Sequence, residues 1–160
     1  MSRRSLVVAL LVSAVCRPPG PASAQPVDPL LGTWTLVVAQ SKYTPGPAPK
    51  ALAIRFAAAG DGIKVTVDET GADGRVIHSE FSANYDGKEY PITGSPVADS
   101  VSLQRVSAQT TLRTDKKQGK VVGLFAWRIS PDGKTLTALA KGVDASGQPV
   151  KNVLVFARKP

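Results

Sequence analysis

The side chains that could do chemistry in this chain are few, and their spacing is restrictive. His78 is the single histidine of the 160 residues and Cys16 the single cysteine. A transition-metal site normally draws on several histidine or cysteine ligands, so one of each argues against such a site. A Ser–His–acid arrangement can be written with His78, Glu80 and a serine. However, His78 and Glu80 stand two apart in an extended run, and no Gly-x-Ser-x-Gly elbow presents a nucleophile. The Asp-Gly pairs at Asp61-Gly62, Asp73-Gly74, Asp86-Gly87 and Asp132-Gly133 lack the alternating oxygen ligands and closing glutamate of a calcium loop. Turn chemistry explains them, because tight hairpins need the positive φ that Asp and Gly tolerate. Paired carboxylates for glycoside cleavage are a matter of spatial placement, and nothing in the order of residues favours them. No catalytic residue, metal ligand or cofactor motif is assigned, and the expectation is a protein that is not an enzyme.

The N-terminus carries an address. Arg3 and Arg4 precede an eleven-residue apolar run, Leu6 to Cys16, and a Pro/Gly stretch leads to Ala22-Ser23-Ala24. A basic n-region, a short h-region and small residues before a cleavage point describe a secretory signal over 1–24, ending before Gln25. The run is too short to span a bilayer as a helix. The competing readings are a buried N-terminal helix and lipidation at Cys16, which Val15 disfavours because a small residue is wanted there. The mature chain would be periplasmic or secreted, with no integral membrane segment. It would keep 17 basic residues against 12 acidic ones, a net +5, and no cysteine for disulfides or thiolate chemistry. Its residues suffice for one domain with its own core.

The elements that would position any site are strands. After a short leader over 25–31, residues 32–160 form β-branched or alternating runs broken by Gly, Asp and Pro. Strands are expected at 33–38, 51–57, 63–69, 75–85, 88–92, 100–106, 110–115, 120–130, 134–143 and 152–158. No helical period persists for three turns. Short hairpin connections force antiparallel neighbours. The expected fold is all-β, an antiparallel meander of about 8–10 strands closed into a barrel, which removes exposed edges. A two-sheet sandwich is the alternative. Within 75–85, the odd positions Ile77, Phe81, Ala83 and Tyr85 form the apolar face. Val121, Gly123, Phe125, Trp127 and Ile129 group together within 120–130, and the last strand is apolar on both faces. Residues 41–50, SKYTPGPAPK, place proline at every second position, so they cross the surface as a rigid connection or as a lid or rim over a barrel mouth.

Gly32-Thr33-Trp34, followed by Thr35-Leu36-Val37, resembles the Gly-x-Trp opening of lipocalins and fatty-acid-binding proteins. Residues 152–159, NVLVFARK, are similar to the closing strand of that calycin superfamily. The 41–50 segment together with Tyr85-Asp86-Gly87-Lys88-Glu89-Tyr90-Pro91 also resembles small exported lipocalin-like bacterial proteins. The resemblance implies that Trp34 closes the barrel floor and that Arg158 packs over it. Three features depart from it. The proline-rich 41–50 cannot form the helix pair of fatty-acid-binding proteins, and their Arg-x-Tyr carboxylate clamp is matched here by Leu154 and Phe156. The C-terminal helix and disulfides of larger lipocalins are also missing.

Trp34, His78, Phe81, Tyr85, Phe125 and Trp127 are therefore the candidate ligand-lining residues, with Trp34 and Arg158 as the barrel-closing pair. A barrel of this size either fills with side chains or holds one small ligand. A hollow barrel would be a carrier of a small hydrophobic molecule, and a filled one an interaction module or inhibitor for an unidentified envelope protein. The Lys116, Lys117 and Lys120 cluster reads as a solvated hairpin tip. With nine aromatics, mostly needed inside, stacking on nucleic acid is not expected.

Overall fold

The computed structural model describes residues 27–160, so the signal reading of 1–24 and Cys16 lie outside the described residues. Ten antiparallel strands follow in order: β1 (Gly32–Leu36), β2 (Ala51–Ala59), β3 (Gly62–Thr70), β4 (Val76–Asn84), β5 (Tyr90–Thr93), β6 (Ser100–Ser107), β7 (Thr110–Lys117), β8 (Lys120–Ile129), β9 (Thr135–Val143) and β10 (Pro149–Arg158). Each pairs with its neighbours in sequence, and β1 pairs with β10 to close a barrel. The antiparallel meander closed into a barrel is thus the fold, and the two-sheet alternative is not adopted. Among the described residues no helix is long and apolar enough to cross a membrane.

The strand ends move where local hydrogen bonds outcompete the ladder. The first strand stops at Leu36 because a short 3-10 turn forms over Val38–Gln40. The fifth starts at Tyr90 because Asp86 accepts from the Lys88 N–H at 3.0 Å and from the Tyr90 hydroxyl at 2.9 Å. The tenth begins early, at Pro149. Asp144 accepts from the N–H groups of Ser146 and Gln148, which tightens the tip and sets Pro149 opposite Val143.

One register shift decides which side chains face inward. Across β7 and β8, Lys116 pairs with Val121 but Asp115 pairs with Gly123, so Val122 is an extra residue. This bulge reverses the inward parity of one strand relative to the other. Val121, expected beside Phe125 and Trp127, points out and is exposed, while Val122 joins the interior. The same shift turns Thr111, Arg113 and Asp115 inward and Leu112 outward. The outer face of β10 is not sandwiched under another layer. Val153 and Val155 are half-buried beside the 37–42 segment, whose Val37 and Lys42 donate to their carbonyls at 2.7 Å.

The core fills the barrel interior with Leu30, Trp34, Phe56, Ile63, Val65, Phe81, Leu103, Trp127, Leu136 and Phe156. The weakest part of the wall is around β5, which shares two paired positions with β4 and two with β6. There the β4 backbone comes so close that a Cβ on Gly94 would lie 2.0 Å from the His78 carbonyl oxygen, and Gly94 holds φ +73.

Candidate functional site

One end of the barrel is corked. Trp34 is fully buried, and its indole N–H donates to the Leu30 carbonyl at 2.8 Å. The Arg158 guanidinium carbon lies 4.2 Å from the centre of the Trp34 rings. That guanidinium also donates to the carbonyls of Gly133 (2.8 Å), Leu31 (2.5 Å) and Pro29 (2.6 Å). A planar fork serving three carbonyls while stacked on an indole is a task for which lysine has the wrong shape. Gly32 is part of the fit, since a Cβ there would sit 2.9 Å from Arg158 Nη1. The described part of 25–31 is therefore built into the floor rather than trailing from it.

Beside this stack, Asp28 accepts hydrogen bonds from the Tyr85 hydroxyl and from Arg105, whose guanidinium lies 4.0 Å over the Tyr85 ring. Burial works to raise the Asp28 carboxyl, but the bonds from Arg105, Tyr85 and the Leu30 N–H outweigh it and hold the group below its ordinary range. Burial and then the Asp28 carboxylate push the Tyr85 hydroxyl upward. A depressed carboxyl contributes stability that is present above its unfolded value, about pH 4, and is lost as pH falls through the lower folded value. Acid unfolding followed by circular dichroism should thus be steeper below about pH 4 in the native chain than in Asp28→Asn. Equal slopes would remove Asp28 from the acid response.

The other end is open onto a cavity of about 400 Å³. Its wall is largely apolar, with Leu52 and Ile54 from β2, Val67 from β3, Ile77 from β4, Phe125 and Trp127 from β8 and Leu154 from β10. Trp127 meets Phe56 edge to face at a centroid distance of 5.1 Å, which fixes the cavity's inner end. Within this apolar wall sits an ion pair. Arg113 donates from Nε to Asp115 Oδ1 at 2.6 Å and from Nη2 to Oδ2 at 2.7 Å. The two side chains are only 10% and 4% exposed. The guanidinium carbon is 4.9 Å from the ring centres of Phe81 and of Phe125, and 5.6 Å from that of Trp127.

The mouth is shaped by the proline-rich crossing, the β5–β6 loop and the β9–β10 tip, through Tyr43, Pro49, Pro96, Val97 and Ala145. The 41–50 segment is thus a rim, anchored where Lys151 donates to the Thr44 carbonyl at 2.7 Å and Asn152 accepts from the Thr44 N–H at 3.0 Å. The Tyr43 hydroxyl is buried and has no hydrogen-bond partner among the described residues. Burial, followed by the nearby Glu69 charge, pushes it up to about 12. Glu69 stands at the mouth end of β3, and burial alone pushes its carboxyl up.

The six residues named from sequence separate into three groups. Phe125 and Trp127 line the cavity, and Phe81 lies buried against Arg113. Trp34 and Tyr85 belong to the corked end. His78 is on the outward side of β4, with Nδ1 2.6 Å from Asp68 Oδ1. The strand parity that brings Ser79 and Phe81 inward sends His78 and Glu80 out, and Glu80 pairs there with Lys64 at 2.8 Å. At the lysine-rich tip, Lys116 reaches Glu89 and Lys117 donates to the Pro96 carbonyl at 2.9 Å. Arg113, Asp115, Tyr43 and Glu69 escaped sequence reasoning. The signal for the first two is the β7–β8 register, which places Arg113 opposite Phe125.

No family model matches this sequence, and no curated protein matches it. Among solved structures, it is similar to zebrafish ileal bile acid-binding protein complexed with cholic acid, at 12% identity and a TM-score of 0.46 over 82% of this chain and 99% of that one. It is also similar to the siderocalin Ex-FABP, at 13% identity and a TM-score of 0.37 over 82% of this chain and 74% of that one.

Proposed function

We propose that this chain is an exported carrier that takes one small apolar molecule into its barrel and leaves it chemically unchanged. The observation that carries this reading is the cavity of about 400 Å³, open at one end and lined mainly by aliphatic and aromatic side chains. That size falls in the range of small-molecule sites. A filled barrel acting only through its loops would need those side chains packed against one another. The signal-like sequence over 1–24 supports export. The absence of chemistry is supported by the side chain of His78, which sits on the outward side of β4 against Asp68 and is not part of the cavity lining.

Ala140 lines the cavity opposite Phe125. Ala140→Phe puts a ring into the void and is expected to weaken binding of the neutral fluorescent probe N-phenylnaphthylamine by about tenfold or more. Leu124→Ser, on the outside, should leave the probe titration as it is in the native chain. The converse pattern would favour a second reading, an interaction surface on the outer face, where Leu112, Leu124 and Leu139 are exposed on adjacent strands.

A further inference from the structure

Building on the carrier reading, we propose that the molecule carried ends in a protonated amine, and that Glu69 and Tyr43 hold this cation at the mouth while its apolar body points toward Trp127. Glu69 is flanked across the sheet by Leu52 on β2 and Ile77 on β4, and both of these line the cavity. A carboxylate in such surroundings loses hydration without gaining a partner. Among the described residues no cation or hydrogen-bond donor offsets its burial, in keeping with a carboxyl raised by burial alone. Tyr43 lines the same mouth with a buried hydroxyl that bonds to nothing among the described residues. An ammonium group has three donors and no acceptor, so it can donate to the carboxylate and to the hydroxyl oxygen together.

The deeper charges point the same way. A carboxylate-ended ligand would look to Arg113, but the Nε and Nη2 edge is already held by Asp115 through two bonds, and three aromatic rings surround the guanidinium. Such a ligand would have to displace Asp115 and leave two carboxylates crowded in a dry site. Of the remaining charged groups in the lining, Lys141 is exposed at the rim. Asp144 is there too, committed to the Ser146 and Gln148 bonds of its own turn. With Arg113 matched by Asp115, Glu69 leaves the interior one negative charge in excess.

The test is isothermal titration of the full chain with decylamine, decanol and decanoate, which share one alkyl chain and differ in the head. Decylamine should bind about tenfold or more tightly than decanol, with decanoate weakest. In Glu69→Gln the ratio of amine to alcohol affinity should fall to about threefold or less. If decanol binds but decylamine binds no better, if decanoate binds best, or if Glu69→Gln leaves the ratio intact, the amine proposal is overturned and the carrier reading stands. If none of the three binds, the carrier reading fails and the proposal with it.

Discussion

Asp115→Ala should destabilise the barrel by about 3–5 kcal/mol, whereas replacing Arg113 and Asp115 together by Met and Val should cost within about 1 kcal/mol of nothing or even stabilise it. The reason is an asymmetry in burying charge. Asp115 receives two bonds from Arg113, and the guanidinium otherwise faces Phe81, Phe125 and Trp127. Removing the acid strands a permanent cation in apolar surroundings, because arginine does not release its proton. Removing both partners deletes two desolvated charges at once, and apolar side chains suit the wall they would join. Urea midpoints at constant slope would measure both effects. A small loss in Asp115→Ala would mean that Arg113 reaches water through the mouth and that the pair is not part of the barrel's support.

Trp34→Ala should cost about 3–5 kcal/mol, the range for deleting a fully buried indole from a packed core. The loss has two parts that a double-mutant cycle separates. One is the void left in the floor. The other is the Arg158 stack at 4.2 Å. With Arg158→Ala as the second variant, the coupling energy should be about 1–2 kcal/mol. Arg158→Lys should recover little, since its point charge cannot serve the carbonyls of Gly133, Leu31 and Pro29 at once. Additive losses would show that Trp34 and Arg158 act as neighbours and not as one clasp.

All ten strands could be read from sequence because most hairpin tips carry their own backbone chemistry, with positive φ at Gly60, Gly87 and Gly133. Facing was legible where alternation was clean, as in Ile77, Phe81 and Ala83 on β4. It failed on β7, where Leu112 is the apolar residue and yet points out. The cause is the bulge at Val122. A single extra residue reverses parity across the hairpin, and nothing in the local composition of 110–123 marks it. The rim had a local signal in Pro45, Pro47 and Pro49, but the placement of Tyr43 and Glu69 on one cavity mouth depends on how the crossing folds back over the barrel, which no short-range pattern relates. Asp28 has the same history. Its partners Tyr85 and Arg105 are distant in sequence, so a residue that looks like leader becomes part of the floor.

Entry of a small apolar molecule into the barrel is seen most directly by solution NMR of the chain with decanol. Cross-relaxation should connect the alkyl protons to the Trp127 indole and to the methyl groups of Ile54 and Leu154, in a complex of one ligand per chain. Contacts confined to Leu112, Leu124 and Leu139 on the outer face would contradict it, and so would no contacts at all.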